Sequence, residues 1–335
     1  MLNLLYILLG ISILAPIYTY FIYPHTLKFF QKKDFRVESG YMPNISLIIT
    51  SSGDDVIDKD SYYAFYPKEK TEIYTAHSIK FFYDYIDKSS GDIIVVVDSI
   101  VTVKEDTIRK LIAALYDDRV GCTSGQVRRR PGPNGEHTEG LSWRYEHFVK
   151  KQESSIGQLS GATSAIYAIK RKALPSCYIT KIEPSFYLAT HAVLNGYDCL
   201  YVESAEVYGS ETEDGKAIFK KHIEDGTKQV HAMAHFWKLL FPRKGSFVYV
   251  SHRLMKWLVP FNLLLLLLGS LYLSFSSAIA AFFFSLQILV YTYVLVFRNK
   301  FSSSATLIGM LTSVLCYFLE LNIAWLIGAF RALYK

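Results

Sequence analysis

Cysteine is scarce in this chain, and the few cysteines are scattered. Four occur among 335 residues, and no two of them have the CxxC spacing. Among the nine histidines no HExxH motif occurs, and His231 and His235 are the one pair with the HxxxH spacing. The scattered cysteines and the missing HExxH motif argue against a disulfide scaffold and a zinc site, and they favour reduced thiols in a cytoplasmic setting.

Internal repeats and low-complexity linkers are also missing, which excludes a repeat protein. There is no basic face with interleaved aromatic residues apart from the short run Arg128, Arg129 and Arg130. The net charge of +6 has another source, because basic residues cluster beside apolar segments, where anionic lipid headgroups lie. We therefore expect no nucleic-acid partner.

Long apolar runs are abundant, and 51% of the residues are hydrophobic. Four nearly uncharged runs are each long enough to cross a bilayer: residues 2–23, 257–275, 278–297 and 306–330. The first lacks a basic n-region and a small-residue cleavage site, which favours an anchor over a cleaved signal peptide. The sequence thus predicts an N-terminal anchor (1–25), a soluble domain (40–235), an interfacial segment (236–256) and three transmembrane helices (257–335).

Basic residues flank the soluble domain on both sides. They follow the first apolar run and precede the second: Lys28, Lys32, Lys33, Arg36, Arg243, Lys244, Arg253 and Lys256. By the positive-inside rule, the soluble domain of this multi-pass cell-membrane protein is expected to be cytoplasmic. Segment 236–256 mixes aromatic and basic residues, which favours an amphipathic segment lying on the membrane over a core helix followed by a loop.

Strands and helices are predicted to alternate through the soluble domain. Apolar β-branched runs predict strands at 44–50, 92–97, 120–127 and 165–170. Helical spacing predicts helices at 71–86, 104–117 and 139–153, and residues 181–201 predict a helix, a turn at Asn195-Gly196 and a strand. This order is typical of an α/β domain with a mainly parallel sheet, in which ligands bind at the carboxyl ends of the strands.

Two groups of acidic residues lie at such strand ends. Asp98 follows a strand of Ile and Val, where a carboxylate can hold a divalent cation that bridges a diphosphate. The alternative is that Asp98 caps the turn after the strand. Asp54 and Asp55 follow the first strand and are candidates for holding a nucleobase or ribose, although Gly53 also suits a plain turn.

Two further stretches are candidates for ligand contact. Gly161 and Ser164 lie in a small-residue loop that a ligand can approach closely, unless the loop simply packs in a core. Lys221, Gln229 and His231 could steady a leaving diphosphate, and the alternative is a solvated basic face.

Several stretches, taken in order, resemble a family 2 glycosyltransferase of the membrane-bound, processive-synthase-like kind. The best match is residues 139–171, EGLSWRYEHFVKKQESSIGQLSGATSAIYAIKR. GDIIVVVD (91–98), FYLATHAVLNGYDCLY (186–201) and SHRLMKWLVPF (251–261) resemble other motifs of that family. The resemblance implies a GT-A domain, a nucleotide-sugar donor, a Mg or Mn cofactor with Asp98 as ligand, and an acceptor side that includes Trp143, Glu146, Gly161 and Ser164.

The chain also departs from the family pattern. About 40 residues, including a helix and the second strand of the nucleotide pocket, are expected to be absent after the first strand. The DxD motif reads Asp98-Ser99-Ile100, and the QxxRW motif has at best a counterpart at Gln229-Val230-His231-Ala232.

The catalytic base of the family falls on Ser185, with Pro184 before it. A serine cannot accept the acceptor proton at neutral pH without its own base. Glu183, at the start of the same helix, could take that role.

We therefore expect a truncated GT-A-like domain fixed to the membrane. The function implied is sugar transfer to a lipid-linked or growing glycan in cell-surface polysaccharide or glycolipid synthesis. The alternative is an inactive pseudo-glycosyltransferase subunit that scaffolds a partner synthase, without a cation. A transport component is a weaker reading, favoured only by Gln287 and Glu320 within apolar runs.

Overall fold

The computed structural model describes residues 2–51, 57–129, 141–209, 215–301 and 307–334. It has two compact units. The sheet unit comprises Thr26–Glu213 and His235–Val250, and the helical unit comprises Met1–His25, Asp214–Ala234 and Ser251–Lys335.

Helices and strands are numbered in chain order. The helices are α1 (Leu2–Ile17), α2 (Tyr23–Thr26), α3 (Ile79–Lys88), α4 (Thr107–Ala114), α5 (Leu141–Ser155), α6 (Pro184–Leu194), α7 (Gly215–His235), α8 (Ser246–Val248), α9 (Met255–Ser274), α10 (Ala278–Phe301) and α11 (Leu307–Tyr334). The strands are β1 (Ile45–Thr50), β2 (Thr71–Ala76), β3 (Ile93–Asp98), β4 (Thr102–Val103), β5 (Val120–Arg128), β6 (Ile166–Lys170) and β7 (Asp198–Tyr208).

The strands form one sheet in the order β2-β1-β3-β6-β5-β7-β4. β1 is parallel to β2 and β3, and β5 is parallel to β7. Because β6 is antiparallel to both β3 and β5, these two parallel groups point the same way. Only β6 and β4 are reversed among the described strands. The predicted α/β class with a mainly parallel sheet is thus confirmed.

The sheet is held by a core of branched apolar side chains. β1 and β3 are buried on both faces, which explains their nearly unbroken Ile and Val composition. Ile108, Leu111 and Ile112 of α4 join one face of this core. Each such buried side chain contributes about 1.5–3 kcal/mol by removal of apolar surface from water.

The predicted helix at 71–86 is wrong over its first half. Thr71–Ala76 forms β2, which pairs with β1 along its whole length, and the helix starts only at Ile79. Ser78 caps that helix by accepting a hydrogen bond from the Phe81 N–H at 3.3 Å. The second strand, expected to be absent, is therefore present. Between β1 and β2 the described residues form two short 3₁₀ turns, Asp60–Ala64 and Lys68–Lys70, in place of an α-helix.

The helical unit contains most residues of the apolar segments. Among the described residues, three helices are long and apolar enough to cross a membrane, Leu5–Phe29, Ser246–Ser274 and Leu311–Tyr334, and Ala278–Val294 is a shorter apolar helix. α7 packs closely on α11, since the Thr227 hydroxyl donates to the Gly328 carbonyl at 3.0 Å. These helices indicate membrane association.

Candidate functional site

The carboxyl ends of three parallel strands meet at one edge of the sheet. Thr50 of β1 pairs with Ala76 of β2 and with Asp98 of β3, so the strands end at the same level. The Ser99 N–H extends this pairing by donating to the Thr50 carbonyl at 2.8 Å. The polar residues that follow these strands are thus brought together at the edge where open α/β sheets bind ligands.

Among the residues that the structure describes, Asp98 supplies a carboxylate at this edge. Its Oδ1 accepts the Ile100 N–H at 3.2 Å, so the turn-capping role is present. Burial first, and then the negative charge of Asp98, raise the pKa of Tyr62. Asp54 and Asp55 lie outside the described residues.

Asp98 can supply one carboxylate ligand to a hard divalent cation. No group of three or more His, Cys, Asp or Glu side chains that could hold a metal ion occurs among the described residues. A cation that bridges a diphosphate needs few protein ligands, because phosphate oxygens and water fill the remaining positions. The half-buried, turn-oriented carboxylate of Asp98 suits that arrangement.

The loop 157–165 connects this edge to the start of α6. The Asp98 N–H donates to the Ala165 carbonyl at 2.9 Å, and the Ala162 N–H donates to the Ser185 carbonyl at 3.4 Å. Gly161, with a φ of 143°, is buried in this loop, whereas Ser164 is exposed. The predicted residues 161, 164 and 185 therefore belong to one neighbourhood.

Glu183 and Ser185 differ in accessibility at the start of α6. Pro184 occupies the first helical position, where its fixed φ is favourable, and Glu183 is the N-cap residue. Ser185 is buried at 4% exposure, while Glu183 is only partly buried. Glu183 is thus the accessible carboxylate at the start of α6, whereas Ser185 carries only a buried hydroxyl.

The charge of Glu183 acts on two buried phenols. The pKa values of Tyr83 and Tyr167 are raised mainly by burial, and the charge of Glu183 adds to both shifts. The hydroxyls of both tyrosines are buried and have no hydrogen-bond partner among the described residues.

A second polar cluster extends the site toward β5 and β7. The Nδ1 atom of His147 lies 3.1 Å from the Tyr201 hydroxyl and 3.3 Å from the Gln126 side-chain nitrogen, and its Nε2 atom lies 3.7 Å from Glu203. The indole of Trp143 stacks on the His147 ring, with 5.1 Å between centroids. We call these five residues the His147 cluster.

The His147 cluster joins the loop 157–165 through Lys150. Its Nζ atom lies 3.2 Å from the Thr163 hydroxyl and 3.9 Å from Glu146, and it stands over the Tyr201 ring. Trp143 and Glu146 thus lie on the same helix as Lys150, which contacts this loop, and their role on the acceptor side stays a prediction. The sequence did not point to five of these residues: Gln126, His147, Lys150, Tyr201 and Glu203. A signal existed for two of them, because positions 143, 147 and 150 share one face of a helix.

The predicted leaving-group residues are located differently. Lys221, Gln229 and His231 lie on α7, in the part that belongs to the helical unit. Their role stays a prediction.

Known proteins resemble this chain in structure but not detectably in sequence. No family model matches the chain, and no curated protein matches its sequence. The solved structure of mannosyltransferase PcManGT from Pyrobaculum calidifontis, in complex with GDP-Man and Mn²⁺, is similar with a TM-score of 0.69 at 15% identity. The match covers 98% of this chain and 99% of that chain. The chain therefore has a GT-A-like fold.

Two other glycosyltransferase structures match less of this GT-A-like chain. GalNAc-T7 with UDP, GalNAc and Mn²⁺ matches with a TM-score of 0.35 and 13% identity, over 55% of this chain and 48% of that chain. Glucosyl-3-phosphoglycerate synthase from Mycobacterium tuberculosis, in complex with Mn²⁺, UDP-glucose and phosphoglyceric acid, matches with a TM-score of 0.36 and 9% identity, over 57% and 79%. At these TM-scores they add nothing to the fold assignment.

Proposed function

We propose that this chain is a membrane-attached glycosyltransferase of family 2. It transfers a sugar from a nucleotide-sugar to a lipid-linked or growing glycan at the cytoplasmic face of the cell membrane. The supporting observation is the similarity over 98% of the chain to a mannosyltransferase that binds GDP-Man and Mn²⁺. The polar residues at the carboxyl edge of the sheet support the same proposal, because this is where such a sheet binds ligands.

The transfer requires one proton acceptor. An acceptor hydroxyl attacks the anomeric carbon, the bond from that carbon to the diphosphate oxygen breaks, and the nucleoside diphosphate leaves. Glu183 accepts the hydroxyl proton, because it is the accessible carboxylate at the start of α6. The His147 cluster and Lys150 bind and orient the acceptor.

Asp98 contributes to donor binding. Its turn-oriented carboxylate would be one ligand of a divalent cation, which, when bound, neutralises charge on the leaving diphosphate. GDP-mannose with Mn²⁺ is the first donor to test, since the similar mannosyltransferase binds both.

The test uses the full chain in lipid nanodiscs. Binding of GDP, UDP and their sugar conjugates is measured by calorimetry with Mn²⁺ or Mg²⁺, and transfer of labelled sugar to a membrane lipid extract is measured in parallel. We expect Asp98→Asn to weaken metal-dependent donor binding. We expect Glu183→Gln to keep donor binding but to lower transfer about 10²–10⁴-fold, as for loss of a general base.

Two controls make the outcomes distinct. Asp118→Asn removes an exposed carboxylate beside the start of β5, at the opposite edge of the sheet, and should change neither readout. Ser185→Ala should also leave transfer intact if Glu183 is the base. Full transfer by Glu183→Gln would show that another group takes the proton.

A non-catalytic scaffold subunit is the second candidate. The observation that favours it is the buried serine at position 185, where a base is expected. Absence of nucleotide binding across the whole panel, together with a co-purifying active synthase, would support this candidate and contradict the transferase.

A further inference from the structure

The arginine run at residues 128–130 has no part in the proposed transfer. Arg128 is the last residue of β5, Arg129 follows it and is exposed, and Arg130 lies outside the described residues. Because β5 points the same way as β1 and β3, it also ends at the edge where open α/β sheets bind ligands. Arg128 therefore places a guanidinium group at the edge that carries Asp98.

Arg128 shares a carboxylate with a second cation. Its Nε atom lies 2.5 Å from Oε1 of Glu206, and the Lys104 ammonium group contacts Oε2 of the same side chain. Two cations and one carboxylate leave one net positive charge. The side chains of Lys104 and Arg128 are 41% and 29% exposed, whereas that of Glu206 is 16% exposed. Solvent thus reaches mainly Lys104 and Arg128, which we call the cation pair.

Further contacts hold the cation pair in place. The Gly209 N–H donates to the Arg128 carbonyl at 2.9 Å, which ties the end of β5 to the residue after β7. The Lys104 ammonium group lies over the Tyr208 ring, 5.3 Å from its centre. The protein alone therefore fixes the positions of both cations, and this lowers the entropic cost of binding a ligand there.

The cation pair adjoins the His147 cluster. Gln126, a member of that cluster, and Arg128 are two residues apart on β5, so their side chains leave the same face of the sheet. Trp143 links the two groups, because its ring stacks on His147 and lies 6.0 Å from the guanidinium carbon of Arg128. A ligand bound at the His147 cluster would therefore have the cation pair beside it.

The cation pair is set apart from Asp98. In the order of the sheet, β6 separates β3 from β5. Two strand spacings, or about 10 Å, therefore lie between the ends of β3 and β5. In the proposed mechanism a metal ion at Asp98 would neutralise the donor diphosphate. The cation pair is thus available to a different anionic group.

We propose that the cation pair binds an anionic group, a phosphate or a carboxylate, on the acceptor. Guanidinium and ammonium groups form charge-assisted hydrogen bonds with both kinds of oxyanion. The acceptor is then either a lipid phosphate or a glycan that contains acidic sugars, and a neutral glycan is a poor substrate. This assignment rests on the proposed function, because that function places the acceptor at the His147 cluster.

Matched anionic and neutral probes test the site in the full chain, purified in a neutral detergent. Binding of a polyprenyl phosphate is compared with binding of the polyprenol by native mass spectrometry. Binding of a glucuronic acid oligosaccharide is compared with binding of its carboxyl-reduced form by calorimetry. We expect the wild type to prefer the anionic member of one pair by about tenfold or more, and that pair identifies the source of the anion. Equal binding, or no binding, in both pairs would overturn the proposal.

Variants of single charges identify the responsible groups. Lys104→Gln and Arg128→Gln should each reduce the preference for the anionic probe, while Arg128→Lys should keep most of it. Glu206→Gln retains both cations and should keep or increase the preference. Lys88→Gln changes an exposed lysine at the end of α3 and is the control without effect. An unchanged preference in both Lys104→Gln and Arg128→Gln would contradict the site.

If Arg128→Gln does not fold, the double variant Arg128→Gln/Glu206→Gln takes its place, because it removes the carboxylate together with its partner. It should also lose preference for the anionic probe relative to Glu206→Gln alone.

Donor binding, measured by calorimetry with GDP-mannose and Mn²⁺, separates this site from the proposed function. It should persist in Arg128→Gln. Its loss there would assign the cation pair to the donor diphosphate and would overturn the proposal. A wild type that binds the donor but does not prefer an anionic probe would overturn the anion site alone. A wild type that prefers the anionic probe but binds no nucleotide-sugar would contradict the proposed function, and with it the assignment of the anion to an acceptor.

Discussion

The ammonium group of Lys244 lies 2.7 Å from Oδ1 of Asp198, and the ammonium group of Lys33 lies at the same distance from the same oxygen. Either lysine alone can neutralise the carboxylate. We therefore expect Lys33→Met or Lys244→Met to lower the free energy of unfolding by only about 1 kcal/mol, because both ammonium groups are partly exposed. The double variant leaves the buried carboxylate without either ammonium partner and should cost about 3–5 kcal/mol.

Chemical unfolding in detergent, arranged as a double-mutant cycle, measures this coupling. Lys172→Met is the control, since Lys172 pairs with the exposed Asp118 and its loss should change stability little. Strictly additive losses for Lys33 and Lys244 would contradict the shared-carboxylate interpretation.

Asp117 predicts a pH dependence of stability. The Arg119 side chain donates to its carboxylate at 2.7 and 3.0 Å, and the Arg36 N–H donates at 3.1 Å. These contacts, the Arg119 hydrogen bond foremost, hold the pKa of Asp117 well below its usual range. Because the folded-state pKa is depressed, the stabilisation is complete above the unfolded pKa of about 3.9 and is lost as pH falls below it.

Asp117→Asn should therefore cost about 2 kcal/mol at pH 7, and the difference from the wild type should shrink as the pH is lowered from 4 toward 2. Thermal unfolding across this pH range checks the prediction. A difference that stays constant with pH would mean that the loss is steric and unrelated to the charge.

Tyr167 and Tyr187 form a matched pair for testing buried hydroxyls. Both are at most 2% exposed, but the Tyr187 hydroxyl donates to the Cys177 carbonyl at 2.8 Å, whereas the Tyr167 hydroxyl has no partner among the described residues. Tyr187→Phe should cost about 1 kcal/mol of unfolding free energy. Tyr167→Phe should be neutral or stabilise the protein, because it removes an unsatisfied polar atom. A loss at Tyr167 equal to that at Tyr187 would show that its hydroxyl is bound in solution.

Gly157 and Gly196 both have left-handed backbone conformations, with φ of 72° and 90°. A Cβ at Gly157 would lie 2.6 Å from Cγ of Asp198, whereas a Cβ at Gly196 meets nothing within 4 Å. Gly196→Ala should cost about 1–2 kcal/mol for the backbone conformation alone. Gly157→Ala should cost at least about 1 kcal/mol more, because overpacking adds to the same penalty. Unfolding midpoints that rank the variants in the reverse order would contradict the contact.

Local patterns predicted those elements whose side chains are buried on both faces. β1 and β3 were predictable because continuous runs of Ile and Val are typical of strands that are buried on both faces of a parallel sheet. β2 was missed because it is an edge strand of half-buried residues, TEIYTA, whose Ile73 and Ala76 also suit a helical spacing with Ile79. Pairing with β1 overrides the local helical pattern of this segment. A short stretch of sequence does not show with which distant strand it will pair.

The sequence by itself determined the apolar segments, the α/β order of the sheet unit and the placement of Asp98 and Glu183 at the ends of their elements. These features depend on composition and on the spacing of residues that are close along the chain. Only the tertiary structure could bring Gln126, His147 and Tyr201 into one cluster, or place Lys33 and Lys244 on one carboxylate. Such contacts join residues far apart in the chain, and they depend on strand order and register, which cannot be read from short stretches of the sequence.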